Sequence, residues 1–208
     1  GYPLISVYIT GKELKDAFEV DASVTPLMSA AQLYGAGMRW TFNPHRMIFN
    51  KVTDCAQLLP DGTQKSIEND KLYRVVTGLY SGQMLGSVNG KSFGILSITP
   101  KDARGNPITD FEQQVIRNKD GTEVKEWYAL ASYLKSLGTV PQKYAGGMGR
   151  KIVAPSWNPV ELLKHPNWIS LMVLALVTLS LVLVAFVTYR VATRKRRKTR
   201  TVSSKRRG

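Results

Sequence analysis

The sequence has few of the residues that build disulfides and metal centres. Its 208 residues include one cysteine, Cys55, and two histidines, His45 and His165. A single cysteine cannot form an intramolecular disulfide, so no disulfide framework holds this chain together. The histidines lack the spacing of the common zinc signatures. Cys55 lies in an alternating apolar stretch, and we expect it to be a small core residue and not a nucleophile.

Motifs that would identify a nucleotide-dependent enzyme are also missing. The sequence contains no P-loop and no dinucleotide-binding fingerprint. Two acid pairs, Glu13 with Asp16 and Glu123 with Glu126, fall on predicted helices. Such pairs usually face solvent, and we expect the same here. The residues alone therefore predict no catalytic residue and no metal site in this chain.

Positive charge is abundant, but it is concentrated at one end. The chain has 29 Lys and Arg against 15 Asp and Glu, and residues 190–208 hold ten of the basic residues and no acidic one. A nucleic-acid-binding domain would spread such charge over a folded face. The terminal run also has no interleaved aromatic residues, so we expect no nucleic-acid partner.

A long uncharged apolar run precedes this basic tail. Residues 168–189 contain no charge, glycine or proline, and an aromatic residue marks each end, Trp168 and Tyr189. As a helix the run would measure about 33 Å, enough to cross a hydrocarbon core of about 30 Å. A buried core helix of this length would normally show a polar face, which this run lacks. We therefore predict a transmembrane helix over 168–189 with the lipid bilayer as its partner.

The flanking charges predict the orientation of this helix. Basic residues follow the apolar run within a few turns, whereas Lys164 and Glu161 precede it. The positive-inside rule then places residues 190–208 in the cytoplasm as a basic tail and the preceding residues outside. The sequence predicts a single-pass protein of the cell membrane with an extracytoplasmic N-terminal part.

The remainder of the chain mixes strand and helix patterns. Strands are predicted over 3–10, 38–42, 47–58, 72–77 and 94–98, and helices over 12–19 and 124–137, the latter with Gly138 as its C-cap. The absence of a βαβ repeat favours an α+β class. We predict a small mixed domain over 1–138, a glycine- and proline-rich linker over 139–167, and then the single transmembrane helix.

The first residues enter a strand almost at once. Gly1 is followed by a strand pattern with no charged and apolar leader before it. We expect the natural protein to continue upstream of Gly1.

Three motifs, in their order along the chain, resemble the C-terminal domain of 5′-nucleotidases. They are Thr10-Gly11-Lys12-Glu13-Leu14, Gly37-Met38-Arg39-Trp40-Thr41-Phe42-Asn43-Pro44, and Tyr73-Arg74-Val75-Val76-Thr77-Gly78-Leu79-Tyr80. The family has similar runs of the types TGxxLxxxL, GLRYTYDP and YRVATxxY. The resemblance extends over residues 1–137.

The resemblance implies a role in binding substrate. In such enzymes this domain binds the nucleoside, and two aromatic rings hold the base. Tyr80 matches one of these aromatics, the other is expected just before Gly1, and Gly37 matches a glycine at which the backbone can approach a ligand. The resemblance also implies a divalent metal pair in an N-terminal catalytic domain missing from this chain. No cofactor is then expected in the part present here.

One departure from the family concerns the loop that follows Tyr80. Family members carry a GGDGY-type loop there, whereas residues 81–90 contain no Asp. Tyr80 could equally be a packed tyrosine at the end of a strand. The substrate stays open among nucleoside monophosphates, cyclic nucleotides and nucleotide sugars.

Two hypotheses about function follow. In the first, the chain is the substrate-binding part of a membrane-anchored, extracytoplasmic 5′-nucleotidase-like phosphoesterase of nucleotide catabolism. In that case the parent protein is a hydrolase, and this part alone is inactive. In the second, the chain is a non-catalytic, membrane-tethered surface module for binding or interaction, which the altered loop favours.

Overall fold

The computed structural model describes residues 1–29, 32–85 and 96–205, with side chains up to residue 193. Residues 86–90 of the loop after Tyr80, residues 94 and 95 of the strand predicted over 94–98, and the end of the tail lie outside these residues. The chain divides into two compact units, Gly1–Lys164 and His165–Gly208.

Within the described residues, the first unit contains six strands and four of the five α-helices. The strands are β1 (Leu4–Thr10), β2 (Met38–Phe42), β3 (Val52–Leu58), β4 (Gln64–Ser66), β5 (Leu72–Gly78) and β6 (Lys151–Val153). The helices are α1 (Gly11–Val24), α2 (Leu79–Leu85), α3 (Glu126–Leu137) and α4 (Pro159–Leu163), with 3₁₀ turns at Glu112–Gln114 and Gln142–Tyr144. This mixture confirms the predicted α+β class.

The strands form two separate sheets. β1 and β5 make an antiparallel pair, and the other four strands follow the order β4-β3-β2-β6. In the larger sheet β2 pairs antiparallel with β3 and parallel with β6. The strands predicted over 3–10, 38–42 and 72–77 are confirmed as β1, β2 and β5.

The main hydrophobic core gathers side chains from α1 and from both sheets. Phe18 of α1 stacks on Trp40 of β2 with ring centroids 4.2 Å apart. Cys55 of β3 is buried in the same core, and burial raises the pKa of its thiol to about 12. The prediction that Cys55 is a core residue is therefore confirmed.

Helix α1 begins at a glycine because no side chain fits there. A Cβ on Gly11 would lie 2.1 Å from the backbone oxygen of Glu68. Thr10 and Glu13 form a capping box: the Thr10 hydroxyl accepts from the Glu13 backbone N–H, and the Glu13 carboxylate accepts from the Thr10 backbone N–H. The first family-like motif is thus explained by the junction of β1 with α1.

The expectation that Glu13 and Asp16 are solvated is wrong, because both side chains are buried. Glu13 binds the Lys101 ammonium at 2.6 Å and accepts from the Thr99 backbone N–H at 3.0 Å. Asp16 accepts from the Ser97 backbone N–H at 3.4 Å. These carboxylates fasten residues 97–101 to helix α1.

Further along α1, Glu19 binds the backbone at the start of β3. Its carboxylate accepts from the backbone N–H groups of Lys51 and Val52 at 2.8 and 2.7 Å. Burial raises the pKa of Glu19 to about 7, although those two hydrogen bonds and the Arg46 guanidinium act in the opposite direction. Helix α1 therefore anchors surrounding loops through its carboxylates as well as through its apolar face.

Two predicted elements differ in the structure. Residues 96–98, the described part of the strand predicted over 94–98, are not in a strand. The strand predicted over 47–58 starts only at Val52, because residues 47–51 form a turn in which Phe49 has a positive φ of 57°. The helix predicted over 124–137 is confirmed as α3, with Gly138 at its C-cap.

The predicted linker over 139–167 contributes to the folded unit. Residues 151–153 form β6, which pairs with β2 in the larger sheet. The compact first unit extends to Lys164. Glycine and proline in this stretch therefore mark turns between paired segments of the domain.

The second unit consists mainly of one long helix, α5 (Trp168–Lys205). Within the described residues, its part Trp168–Thr193 is long and apolar enough to cross a membrane, with a mean hydropathy of 2.8 over its most apolar 18 residues. This agrees by length and composition with the predicted span.

Candidate functional site

The candidate site lies where β5 passes directly into α2. Leu79, the first residue of α2, donates its backbone N–H to the Pro3 carbonyl at 2.9 Å. The Glu126 carboxylate lies over Gly78, since a Cβ there would be 1.7 Å from its Oε1. Tyr80, the second residue of α2, follows this fixed turn, so its backbone position is set by the sheet.

Tyr80 does not pack into the core. Its ring stacks on that of Tyr2, with centroids 5.4 Å apart and an interplanar angle of 23°. Each of these tyrosines is 54% exposed. Direct aromatic contact covers centroid distances of about 4.5–7 Å, so the two rings touch each other and leave their outer faces to solvent. Tyr2 and Tyr80 are named the tyrosine pair below.

The strand register explains why these tyrosines meet. β1 and β5 are antiparallel with Leu4 opposite Gly78, and continuing this register outward brings residue 2 opposite residue 80. The Tyr2 carbonyl also accepts from the Glu126 backbone N–H at 3.2 Å, which fixes the start of the chain beside α3. The sequence motifs did not point to Tyr2, and the second aromatic expected before Gly1 stays a prediction.

Gly37, the other residue singled out from the sequence, precedes β2 in the larger sheet. Its φ is +71°, a conformation that side-chain-bearing residues rarely adopt. Its carbonyl accepts from the Leu58 backbone N–H at 2.8 Å. A Cβ on Gly37 would have only the Leu58 oxygen within 4 Å, so the backbone there is open. Tyr80 is therefore not a neighbour of Gly37 within 4 Å.

A small cleft opens one helical turn from Tyr80. It has a volume of about 210 Å³ and is lined by Gln83 of α2, by residues 97–100, and by Ile108 and Phe111. The Glu13 carboxylate binds the backbone of residues 97–100 through the Thr99 N–H, and it also pairs with the Lys101 ammonium. Hydrogen bonds from Lys101, Thr10 and Thr99 outweigh the effect of burial and lower the pKa of Glu13. The wall of the cleft is therefore tied to an ionised carboxylate.

Among residues 1–29, 32–85 and 96–205, no three or more His, Cys, Asp and Glu side chains form a group suited to a metal ion. The carboxylates of α1 are occupied by backbone N–H groups and by lysines. The described residues therefore do not fit the metal pair that the resemblance places in another domain.

Comparisons with known proteins find a family similar to the N-terminal part. Residues 1–89 match the family described as "5′-nucleotidase, C-terminal domain". This range contains all three motifs, the tyrosine pair and Gly37. A search of the curated proteins found no match to this chain.

One solved structure agrees with this chain at the level of the fold. The chain is similar to a 5′-nucleotidase precursor from Thermus thermophilus, with a TM-score of 0.52, 20% identity, and coverage of 75% of this chain and 26% of that chain. It also matches the NAD nucleotidase of Haemophilus influenzae, with a TM-score of 0.37, 26% identity, and coverage of 45% and 17%. The match thus spans about a quarter of the length of the Thermus protein and less than a fifth of the length of the Haemophilus protein. Residues 1–89 are thus similar to the 5′-nucleotidase C-terminal domain, the family that the motifs resemble.

Proposed function

We propose that the unit Gly1–Lys164 is the substrate-binding part of a membrane-anchored 5′-nucleotidase-like phosphoesterase. The observation that carries this proposal is the exposed tyrosine pair at the head of α2, within a domain of the nucleotidase family. A nucleobase would stack on the outer face of Tyr80, because every base offers a π-face to an aromatic ring. A base entering between the two tyrosines would require them to separate first.

Gly37 is proposed as a second ligand-facing position. Its backbone is open, since an added Cβ would have no neighbour closer than 4.0 Å. A ligand group could therefore approach the main chain there, as the resemblance implies. Hydrolysis of a phosphate ester in this family would use a metal pair, and we assign no step of it to the described residues.

Anchoring is proposed from the apolar helix and its charges. The stretch Trp168–Thr193 would cross the bilayer, and the excess of basic residues after it would keep the tail in the cytoplasm. The unit Gly1–Lys164 would then face the outside of the cell. This position suits the capture of phosphorylated nucleotides, which cross membranes poorly.

One observation favours the second function, a non-catalytic tethered module. Residues 81–90 contain no Asp to contact a ligand, and Tyr2 already covers one face of Tyr80. In that case the tyrosine pair would be a structural contact only.

Calorimetric titration separates the two functions. The full chain in detergent micelles is titrated with adenosine and with adenosine and uridine 5′-monophosphates. Stacking contributes about 1–3 kcal/mol per base, so Tyr80→Ala should weaken binding about 5- to 150-fold. Tyr34→Ala removes a tyrosine that is 86% exposed and should leave the affinity unchanged. Equal affinities of Tyr80→Ala and the unmodified chain would remove the stacking proposal.

A further inference from the structure

An apolar patch lies on the first unit shortly before the candidate span. Trp157, Val160 and Leu163 are 73%, 75% and 55% exposed, respectively. They follow each other at intervals of three residues, and Val160 and Leu163 share one face of α4. These three residues are named the juxtamembrane patch. Large apolar side chains exposed together usually mark an interaction site.

The patch is held rigidly by the turn that follows β2. The Asn43 side chain donates to the Ser156 carbonyl at 2.9 Å and accepts from the Ser156 backbone N–H at 3.2 Å. The His45 ring stacks on Trp157 with centroids 3.9 Å apart. The Arg46 guanidinium donates to the Lys164 carbonyl. The chain is thus bound to the domain up to Lys164 and is not a loose tether there.

The short helix that carries the patch is also locally defined. Asn158 caps α4 by accepting from the Val160 backbone N–H at 3.0 Å, and Pro159 occupies its first turn. Two charges flank the patch, Glu161 and Lys164, so it has no net charge of its own. Its recognition chemistry is therefore apolar and aromatic.

A lipid interface fits this chemistry best. Tryptophan and aliphatic side chains on one helix face are typical of segments that lie at the level of lipid headgroups. Leu163 is five residues from Trp168 in the sequence, so a bilayer that holds the span is at most about 18 Å of chain away. Continuity along the chain favours lipid over a separate protein partner.

We propose that the juxtamembrane patch docks on the outer lipid headgroup region and orients the nucleotidase-family domain on the membrane. This inference rests on the proposed anchoring of the chain by Trp168–Thr193. The turn 43–46 sets the angle of docking, because it binds residues 156, 157 and 164. The domain would then present its binding site in a fixed direction and would not swing on a flexible linker.

Site-specific labelling tests the docking. The full chain is reconstituted in vesicles of phosphatidylcholine with a minor fraction of phosphatidylglycerol, and a fluorophore is attached at Val160→Cys. Cys55 is buried and its thiol has a raised pKa, so it does not compete for the label. Matched labels are placed at Val76→Cys, an apolar position of β5 that is 51% exposed, and at Leu176→Cys within the span. Nitroxide-bearing lipids serve as the quencher.

The proposal expects strong quenching and a blue-shifted emission at 160 and 176, with neither effect at 76. Quenching at 176 without quenching at 160 would overturn the docking and leave the anchoring intact. Quenching at both 160 and 76 would overturn a specific patch, because the whole domain would then lie on lipid. No quenching at 176 would refute the anchoring and, with it, the docking.

A second variant distinguishes docking of the patch on lipid from mere proximity of residue 160 to the bilayer. Leu163→Glu, with the label still at Val160→Cys, adds a charge to the patch without touching the contacts of Asn43 or His45. Quenching at 160 should then fall to the level at 76. Unchanged quenching would show that the tether alone keeps residue 160 near lipid and would contradict the proposal.

Discussion

The ring of Tyr2 lies on the ring of Tyr80, 5.4 Å away between centroids, although 77 residues separate them in the sequence. The antiparallel register of β1 and β5 produces this contact, and both rings remain half exposed. The stack gives Tyr80 a defined orientation at the head of α2. A preoriented aromatic surface loses little freedom when a flat ligand binds to it.

Removal of the Tyr2 ring should therefore affect nucleoside binding indirectly. Tyr2→Ala frees the Tyr80 ring to rotate, and we expect weaker binding of adenosine 5′-monophosphate by calorimetry. Tyr2→Phe keeps the ring and loses only the hydroxyl, so its affinity should match that of the unmodified chain. An affinity that rises in Tyr2→Ala would instead mean that Tyr2 blocks the stacking face.

Gly11 should be intolerant of even a methyl group. Gly11→Ala would improve helix propensity by about 1 kcal/mol, but its Cβ would lie 2.1 Å from a backbone oxygen. Overpacking against a fixed backbone costs about 1–3 kcal/mol or more, so the free energy of unfolding should fall. Gly147→Ala, which would meet no atom within 4 Å, is the matched control in urea unfolding of the full chain. Equal stability of both variants would contradict the close approach at Gly11.

The ion pair between Glu13 and Lys101 should stabilise the domain measurably. Glu13→Gln leaves the Lys101 ammonium largely buried without its counter-charge, and the free energy of unfolding should fall by about 2–4 kcal/mol. Glu68→Gln is the control, because Glu68 is exposed and lies 3.6 Å or more from its lysines. Its effect should stay below about 1 kcal/mol. Urea unfolding monitored by near-ultraviolet circular dichroism measures both.

Glu19 should make stability fall as the pH rises toward neutral. Burial raises the pKa of Glu19 in the folded state from 4.5 to about 7, and the nearby charge of Asp16 acts in the same direction. Hydrogen bonds from Lys51 and Val52 and the charge of Arg46 lower this pKa but do not outweigh burial. The folded state then binds a proton that the unfolded state has lost. The resulting stabilisation is complete below about pH 4.5 and is lost as the pH passes about 7. Its full size is about 3 kcal/mol.

Glu19→Gln isolates this contribution. The variant cannot titrate at this position, so its free energy of unfolding should change less between about pH 5 and pH 8 than that of the unmodified chain. Parallel pH profiles of the two chains would show that the carboxylate stays ionised across this range. Glu13 acts in the opposite sense, since its pKa is lowered and its stabilisation is lost only on acidification.

The strands β1, β2 and β5 and the helix α3 were the most predictable elements, whereas α1 extends to Val24, beyond its predicted end at residue 19. β1 and β2 carry clear alternation of buried and half-buried positions, and Gly138 marks the end of α3. The burial of Glu13 and Asp16 could not be predicted, because it depends on the backbone N–H groups of residues 97 and 99 that fold back onto α1. The strand β6 was missed for a similar reason. Three residues among glycines gave no periodic signal, and only pairing with β2 makes them a strand.

The sequence pointed to Tyr80 and Gly37 as site residues, and their role in binding stays a prediction. The motif around Tyr80 was recognised, and the family match over 1–89 confirms the resemblance that pointed to it. Its contact with Tyr2 could have been found by extending the register of two predicted strands, but that register is fixed only once Leu4 is placed opposite Gly78. The left-handed conformation of Gly37 explains why a glycine occupies this position, and the sequence alone does not show that conformation.

The most direct test of base stacking is a nuclear Overhauser measurement on the full chain in micelles, with tyrosine rings isotopically labelled and adenosine 5′-monophosphate added. The resonance of Tyr80 is assigned by its loss in Tyr80→Phe. The account predicts cross-relaxation between the adenine protons and the Tyr80 ring, and none with the ring of Tyr34. Binding of the nucleotide without any transfer to Tyr80, or no binding at all, would contradict it.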